Sequence, residues 1–133
     1  MAKDYSKTPL YKKLGMKPKS RWQVIDPPAD YLELLGPVEE VVFVEQGADL
    51  DGFHVFTNRI EDLEQYMLIL PSKIKKAGSI WFSWYKKSAK MPTEITEDII
   101  RDTALALGMV DVKVCAVDPR WSALKIVWRV ENR

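Results

Sequence analysis

Two acidic residues follow the first two predicted strands of this chain, and their chemistry suits the hydroxyl groups of a sugar. Asp26 ends the stretch 22–26, and Glu45 ends the apolar stretch 41–45. A carboxylate at the end of a parallel strand can accept hydrogen bonds from such hydroxyls. An acid there is also the ordinary first solvated residue after a buried strand. The pattern makes both residues candidates for ligand binding and leaves the plainer interpretation open.

A second group of candidates combines positive charge with aromatic rings. Lys86, Lys87 and Lys90 follow Trp84 and Tyr85 directly. Such a corner could hold a phosphate or stack a base, although a lysine-rich loop backed by core aromatics has the same composition. With Asn58, which follows the third predicted strand, the candidate ligand-binding residues are Asp26, Glu45, Asn58, Tyr85, Lys86 and Lys87.

The residues that commonly perform catalysis are few. His54 is the only histidine and lies mid-strand, which favours a buried ring with a satisfied hydrogen bond over a general base. Cys115 lies inside a late strand, where packing is the default role. No cluster has metal-ligand spacing, and one histidine supports no convincing Ser-His-Asp order. We therefore expect no catalytic residue and no metal, which favours a binding role and leaves enzymatic activity undecided.

Composition describes the kind of protein that carries these residues. The chain has 133 residues, of which 47% are hydrophobic, and it is expected to form one domain with a core and a helical arm over residues 1–20. A single cysteine fits a reducing compartment. No apolar signal core and no membrane-length run are present, so we expect a cytoplasmic protein without a membrane partner.

Charge is segregated along the chain although the net charge is only +1. Residues 1–25 carry seven Lys or Arg against one acid, residues 26–72 carry one Arg against eleven acids, and residues 73–90 carry six Lys and no acid. The basic N-terminal segment favours a nucleic-acid partner, whereas the acidic middle opposes it. Weak nucleic-acid binding is therefore kept as an alternative that ranks below the other hypotheses.

The elements that must position these residues alternate between strands and helices. Pro, Gly and capping residues divide the chain, and the final turn, Asp118 to Trp121, is short enough to force an antiparallel pair. The apolar run 41–45 is expected to be a central strand covered on both faces. The predicted strands are 22–26, 41–45, 53–57, 79–85, 110–117 and 124–130. The predicted helices are 8–15, 29–35, 60–76 and a last one that ends at residue 107. We expect Thr8 to cap the first helix, Thr96 to cap the last, and Pro71 to kink or split helix 60–76.

This succession resembles the class I methyltransferase fold with one β-α unit missing after the second strand. The resemblance implies a Rossmann-like three-layer α/β sandwich, with a mostly parallel sheet of about six strands that ends in an antiparallel hairpin. At closer range the chain resembles a bacterial family catalogued as domain of unknown function 3052, which implies no established chemistry. The residues that carry this second resemblance include Tyr5-Ser6, Thr8-Pro9-Leu10, Glu33-Leu34-Leu35-Gly36, Thr96-Glu97-Asp98 and the stretch 107–118 with Trp121-Ser122.

The loop after the first strand argues against an ordinary methyltransferase. A methyltransferase places a glycine-rich turn there so that the backbone can approach the cofactor. Here the loop is Asp26-Pro27-Pro28-Ala29-Asp30, which has no glycine and two residues without an N–H donor. Asp26 and Asp30 would also repel an anionic group at the helix start.

Two functional hypotheses follow. The first is a non-catalytic, methyltransferase-like domain that binds a small ligand or a protein partner and needs no cofactor. The second is an S-adenosylmethionine-dependent methyltransferase or a nucleotide-binding enzyme with a glycine-free loop, in which Glu45 and Asp26 hold hydroxyl groups.

Overall fold

A six-stranded sheet forms the centre of the protein, for which the computed structural model describes residues 8–133. The strand order is β2-β1-β3-β4-β6-β5. Strands β1 to β4 pair in parallel, whereas β6 lies antiparallel between β4 and β5. The predicted mostly parallel sheet with a C-terminal hairpin is confirmed. The strands are β1 (Arg21–Ile25), β2 (Val42–Phe43), β3 (Leu50–Phe56), β4 (Ile74–Tyr85), β5 (Met109–Ala116) and β6 (Trp121–Trp128).

Helices cover both faces of this sheet. Helices α1 (Leu10–Leu14) and α2 (Tyr31–Leu35) share one apolar cluster with one face, and α3 (Ile60–Ile69) and α4 (Glu97–Ala106) share a second cluster with the other. The result is the predicted Rossmann-like three-layer sandwich. Of the predicted N-terminal arm, residues 1–7 lie outside the described residues, and these include the resemblance pair Tyr5-Ser6.

The two central strands, β3 and β4, are buried on both faces. Phe53 and Val55 pack toward α3 and α4, whereas Phe56 and Trp81 pack toward α1 and α2. The Trp22 ring of β1 lies so close to Gly52 that a Cβ on Gly52 would be 2.5 Å from two ring carbons. Glycine is therefore required in β3 by the close approach of this ring.

The predicted helix 60–76 is wrong in its second half. Helix α3 ends at Ile69, a 3-10 turn covers Leu70–Lys73, and β4 begins at Ile74, five residues earlier than expected. Pro71 cannot donate an i→i−4 hydrogen bond, so the helix stops there. Ile74 is buried as predicted, but as a strand residue that pairs with Leu50.

The predicted central strand 41–45 is also wrong. Strand β2 has two residues and lies at the edge of the sheet, where Val42 is 48% and Phe43 41% exposed. The apolar composition of residues 41–45 predicted a strand covered on both faces. In the structure, no described strand pairs with the outer edge of β2. Short edge strands are common in native sheets, because they offer little unpaired backbone to other chains.

Of the two predicted capping residues, Thr8 and Thr96, one caps its helix. The Thr96 side chain accepts a hydrogen bond from the backbone N–H of Ile99 and begins α4, as predicted. Thr8 does not cap α1, because the N-cap residue is Pro9, which makes no side-chain cap. Gly15 ends α1 with φ of 84°, a conformation that favours glycine. No helix within residues 8–133 is long and apolar enough to cross a bilayer.

We expect Gly52→Ala to destabilise the protein by about 1–3 kcal/mol, because the added methyl group overlaps the Trp22 ring. Urea unfolding measures this cost. In a Trp22→Leu background the smaller side chain removes the overlap, so the cost of the same substitution should fall. Equal costs in both backgrounds would show that the contact does not constrain β3.

Candidate functional site

The carboxyl ends of the parallel strands form the candidate site, and Asp26 lies where β1 ends. Its backbone has φ of 54°, and its exposed carboxylate accepts a hydrogen bond from the Tyr66 hydroxyl of α3, at 3.3 Å. Burial, and then the charge and hydrogen bond of Asp26, raise the pKa of Tyr66. Tyr66 therefore remains a protonated donor, and only one oxygen of Asp26, Oδ1, is left without a hydrogen bond inside the described chain.

The loop 26–30 is less negative than expected. The Asp30 carboxylate accepts hydrogen bonds from Nη2 of Arg120, at 3.1 and 3.0 Å, and the same guanidinium also binds Asp118. Asp30 makes no side-chain cap at the start of α2. The repulsion of an anionic group expected from Asp30 is therefore weakened, because an arginine 90 residues away pairs with its carboxylate.

Glu45 lies two residues beyond β2, at the same edge of the sheet as Asp26. Strands β1 and β2 are adjacent and parallel, so both carboxylates follow neighbouring strand ends. Glu45 is exposed and forms no hydrogen bond or ion pair within residues 8–133. Its carboxylate can therefore accept hydrogen bonds from a ligand without first losing a partner.

Asn58 and Tyr85 lie close together because they are hydrogen-bonded to each other. Oδ1 of Asn58 accepts a hydrogen bond from the backbone N–H of Tyr85, at 2.8 Å, and the Asn58 carbonyl accepts one from Glu94. The Tyr85 ring packs on Trp121, with centroids 4.3 Å apart. Asn58 thus joins the ends of β3 and β4, which is a positioning role.

Lys86 and Lys87 lie on the other side of the sheet edge from the Asp26–Tyr66 pair. The Lys86 backbone N–H donates to the Arg120 carbonyl, and its side chain lines a cleft of about 560 Å³ with residues of α1, α2 and the β5–β6 turn. Lys87 begins a short 3-10 turn and is exposed. Lys86 thus faces the α1–α2 side, whereas Asp26 contacts Tyr66 of α3.

His54 is buried, as its mid-strand position predicts. Nδ1 lies 2.8 Å from the Tyr31 hydroxyl, and Nε2 lies 2.7 Å from Oγ of Ser83. Burial lowers the pKa of His54 to about 3 and raises the pKa of Tyr31. The three side chains form a buried hydrogen-bonded chain that joins α2, β3 and β4, and the ring stays neutral at physiological pH.

Cys115 is half-buried in β5, and burial raises the pKa of its thiol, so the thiol stays protonated. Packing is therefore its role, as predicted. Within residues 8–133, no group of three or more His, Cys, Asp or Glu side chains could hold a metal ion.

The six predicted site residues thus lie at one sheet edge but form no single set of contacts. Sequence reasoning missed two residues of this edge. Tyr66 lies in the predicted helix 60–76, where its spacing matches that of the apolar residues. Arg120 gave no signal other than its place in the turn from Asp118 to Trp121. The Asp118-Pro turn itself was predicted correctly, since Oδ1 of Asp118 accepts hydrogen bonds from the backbone N–H groups of Arg120 and Trp121.

Several solved methyltransferase structures have a similar fold. A SAM-dependent methyltransferase from Aquifex aeolicus matches with a TM-score of 0.66 at 11% identity, over 92% of this chain and 88% of that one. A ribosomal protein L11 methylase from Lactobacillus delbrueckii subsp. bulgaricus gives 0.59 at 11%, over 90% and 74%. Magnesium protoporphyrin IX methyltransferase from Synechocystis, with bound SAM, gives 0.58 at 11%, over 90% and 74%.

These likenesses show that the chain has the Rossmann-like methyltransferase fold. At about 11% identity they show the fold alone. No protein-family model matches the chain, and no curated protein matches its sequence.

We expect acid to destabilise the protein through His54. Its pKa is lower in the folded state, about 3, than in an unfolded chain, about 6.5, so the unfolded state binds the proton more readily. The stabilisation is complete above pH 6.5 and is lost as pH falls from 6.5 toward 3. Between pH 7 and pH 5 the free energy of unfolding should fall by about 2 kcal/mol, as measured by urea unfolding.

The control is His54→Gln, which keeps polar atoms at this position but does not titrate. Its free energy of unfolding should be lower at pH 7 but should change much less between pH 7 and pH 5. The same pH slope in both proteins would assign the acid sensitivity to other groups.

Proposed function

We propose that this chain is a methyltransferase-like binding protein whose carboxyl sheet edge holds an adenosine-containing ligand, with S-adenosylmethionine as the first candidate. The observation that carries the proposal is Glu45, an exposed carboxylate just beyond β2 that has no partner among residues 8–133. In Rossmann-like folds this is the position of the acid that holds ribose hydroxyls. The fold shared with SAM-dependent methyltransferases supports the same ligand.

The adenosine half of this ligand fits the edge better than the methionine half. Pro27 and Pro28 have no N–H groups, so the loop after β1 offers few backbone donors to a carboxylate. Asp30 is bound to Arg120, and Asp26 is partly occupied by Tyr66. The loop therefore supports binding through the sugar and gives little help in positioning a methyl donor, which favours a non-catalytic role.

Methyl transfer is the second candidate, and one observation favours it. Oδ1 of Asp26 has no hydrogen bond inside the described chain, and it follows the strand next to β2. A carboxylate there could accept a hydrogen bond from the α-ammonium group of S-adenosylmethionine, which adenosine lacks. The cofactor would supply the electrophilic methyl group, and this chain would supply the orientation through Asp26 and Glu45.

The remaining interpretations stay predictions from the sequence. A protein partner could use the cleft beside Lys86, and weak nucleic-acid binding could use the basic residues of the N-terminal segment. Cytoplasmic location and membership of family 3052 also stay predictions.

Titration calorimetry with S-adenosylmethionine and with adenosine tests the proposal. We expect both to bind with similar affinity, because the methionine half finds few donors in the loop 26–30. Glu45→Gln should weaken both by about tenfold, since the neutral amide replaces a charge-assisted hydrogen bond. Weaker binding of adenosine than of S-adenosylmethionine, together with loss of the difference in Asp26→Asn, would instead favour the second candidate.

The matched control is Glu39→Gln, which removes the same charge from an exposed residue on the other side of β2. This variant should bind both ligands like the parent protein. Absence of binding by the parent protein, or equal weakening in Glu39→Gln, would refute the proposed role of Glu45.

A further inference from the structure

A second pocket lies at the opposite, amino edge of the sheet, between α1 and the strands. It has a volume of about 250 Å³, and none of the six candidate residues lines it. We name it the amino-edge pocket. Its lining includes Leu14, Lys17, Trp22, Asp51, Ser79 and Lys125.

Ser79 is the polar group at the base of this pocket. The residue is only 6% exposed, yet its hydroxyl forms no hydrogen bond with any part of the described chain. A hydroxyl that meets a pocket and has no partner in the surrounding protein bonds to water or to a ligand. Because Ser79 lines the pocket, a ligand there can supply that partner.

Positive charge is concentrated beside this hydroxyl. Lys125 of β6 is half-buried and pairs directly across the hairpin with Lys113 of β5. Burial, then the charges of Lys113 and Lys17, lower the pKa of Lys125. Like charges directly opposite each other destabilise a strand pair. None of these three lysines forms an ion pair within residues 8–133.

The acid in the pocket does not neutralise these lysines. Oδ1 of Asp51 lies 3.2 Å from Nζ of Lys75, and its Oδ2 accepts a hydrogen bond from the backbone N–H of Arg21, at 2.8 Å. Its carboxylate is thus bound on both oxygens to other groups. The ammonium groups of Lys17 and Lys125 remain available for an anion.

We propose that the amino-edge pocket binds a phosphate group, with the ammonium groups of Lys17 and Lys125 and the hydroxyl of Ser79 as donors. A phosphate carries enough negative charge to relieve the repulsion among the lysines, and its oxygens accept several hydrogen bonds at once. The volume suits inorganic phosphate or the phosphate of a compact monoester. This site is separate from the carboxyl edge and does not depend on the ligand proposed there.

Thermal unfolding in inorganic phosphate, compared with potassium chloride at the same ionic strength, tests the proposal. Phosphate should raise Tm above the chloride value by more in the parent protein than in Lys125→Gln, because binding at the pocket adds to the general stabilisation that phosphate gives folded proteins. It should also shift the indole resonance of Trp22 in an NMR titration. Glycerol 3-phosphate forms a second arm: tighter binding than inorganic phosphate identifies a monoester as the ligand, and weaker binding identifies the free ion. Either result supports a phosphate site.

Three variants locate the site. Lys125→Gln should raise Kd for phosphate about tenfold, through loss of a charge-assisted hydrogen bond. Ser79→Ala should raise it about fivefold and leave Tm in chloride unchanged, because the free hydroxyl has no partner to lose. Lys90→Gln removes a charge at the opposite end of β4 and should leave Kd unchanged.

Several results would overturn the proposal. One is a rise in Tm no larger in phosphate than in chloride. Another is equal weakening in Lys90→Gln and Lys125→Gln, which would indicate general charge attraction. A Ser79→Ala variant with parental affinity would remove the hydroxyl from the site.

Discussion

Burial of β3 and β4 on both faces is the constraint on which the rest of the structure depends. A strand covered on both sides leaves no surface for chemistry along its length, so functional groups must lie where the strands end. The two most deeply buried polar side chains, His54 and Ser83, are hydrogen-bonded to each other, and His54 is also bonded to Tyr31. Close packing of Trp22 on Gly52 shows how little space the sheet leaves. The interior is therefore structural, and both proposed ligands lie at its edges.

The two edges differ in charge, and this difference gives them different chemistry. At the carboxyl edge, Glu45 and one oxygen of Asp26 are acceptors without partners in the described part of the chain, which suits hydroxyl or ammonium groups. At the amino edge, Lys17 and Lys125 line the same pocket as the Ser79 hydroxyl, which forms no hydrogen bond within residues 8–133, and this suits a phosphate. The segregation of charge along the chain contributes to this arrangement, since Lys17 comes from the basic segment and both acids come from the acidic one. An adenosine ligand and a phosphate could accordingly bind at the same time.

The succession of strands and helices along the chain was accessible from local signals: apolar runs, capping residues and short turns. The layer architecture was predicted from the resemblance of this succession to the class I methyltransferase fold. The two wrong predictions, the central strand 41–45 and the helix 60–76, depend on contacts with residues far away in the chain. The run 41–45 has the composition of a buried strand, but whether another strand continues the sheet beyond β2 is a property of the whole fold. Helix 60–76 kept its apolar spacing past Pro71, so periodicity could not show that Ile74 belongs to a strand. The contacts of the candidate site were harder to predict, since the hydrogen-bond partners of Asp26 and Asp30 are 40 and 90 residues away in the chain.

A crystal structure of the protein with S-adenosylhomocysteine bound tests the central claim most directly. The account predicts that the ligand lies at the carboxyl edge, with its ribose hydroxyls within hydrogen-bonding distance of Glu45 and its amino-acid end making few contacts with Pro27 and Pro28. A ligand seated instead in the cleft between α1 and α2 beside Lys86, with Glu45 still solvated, would contradict it.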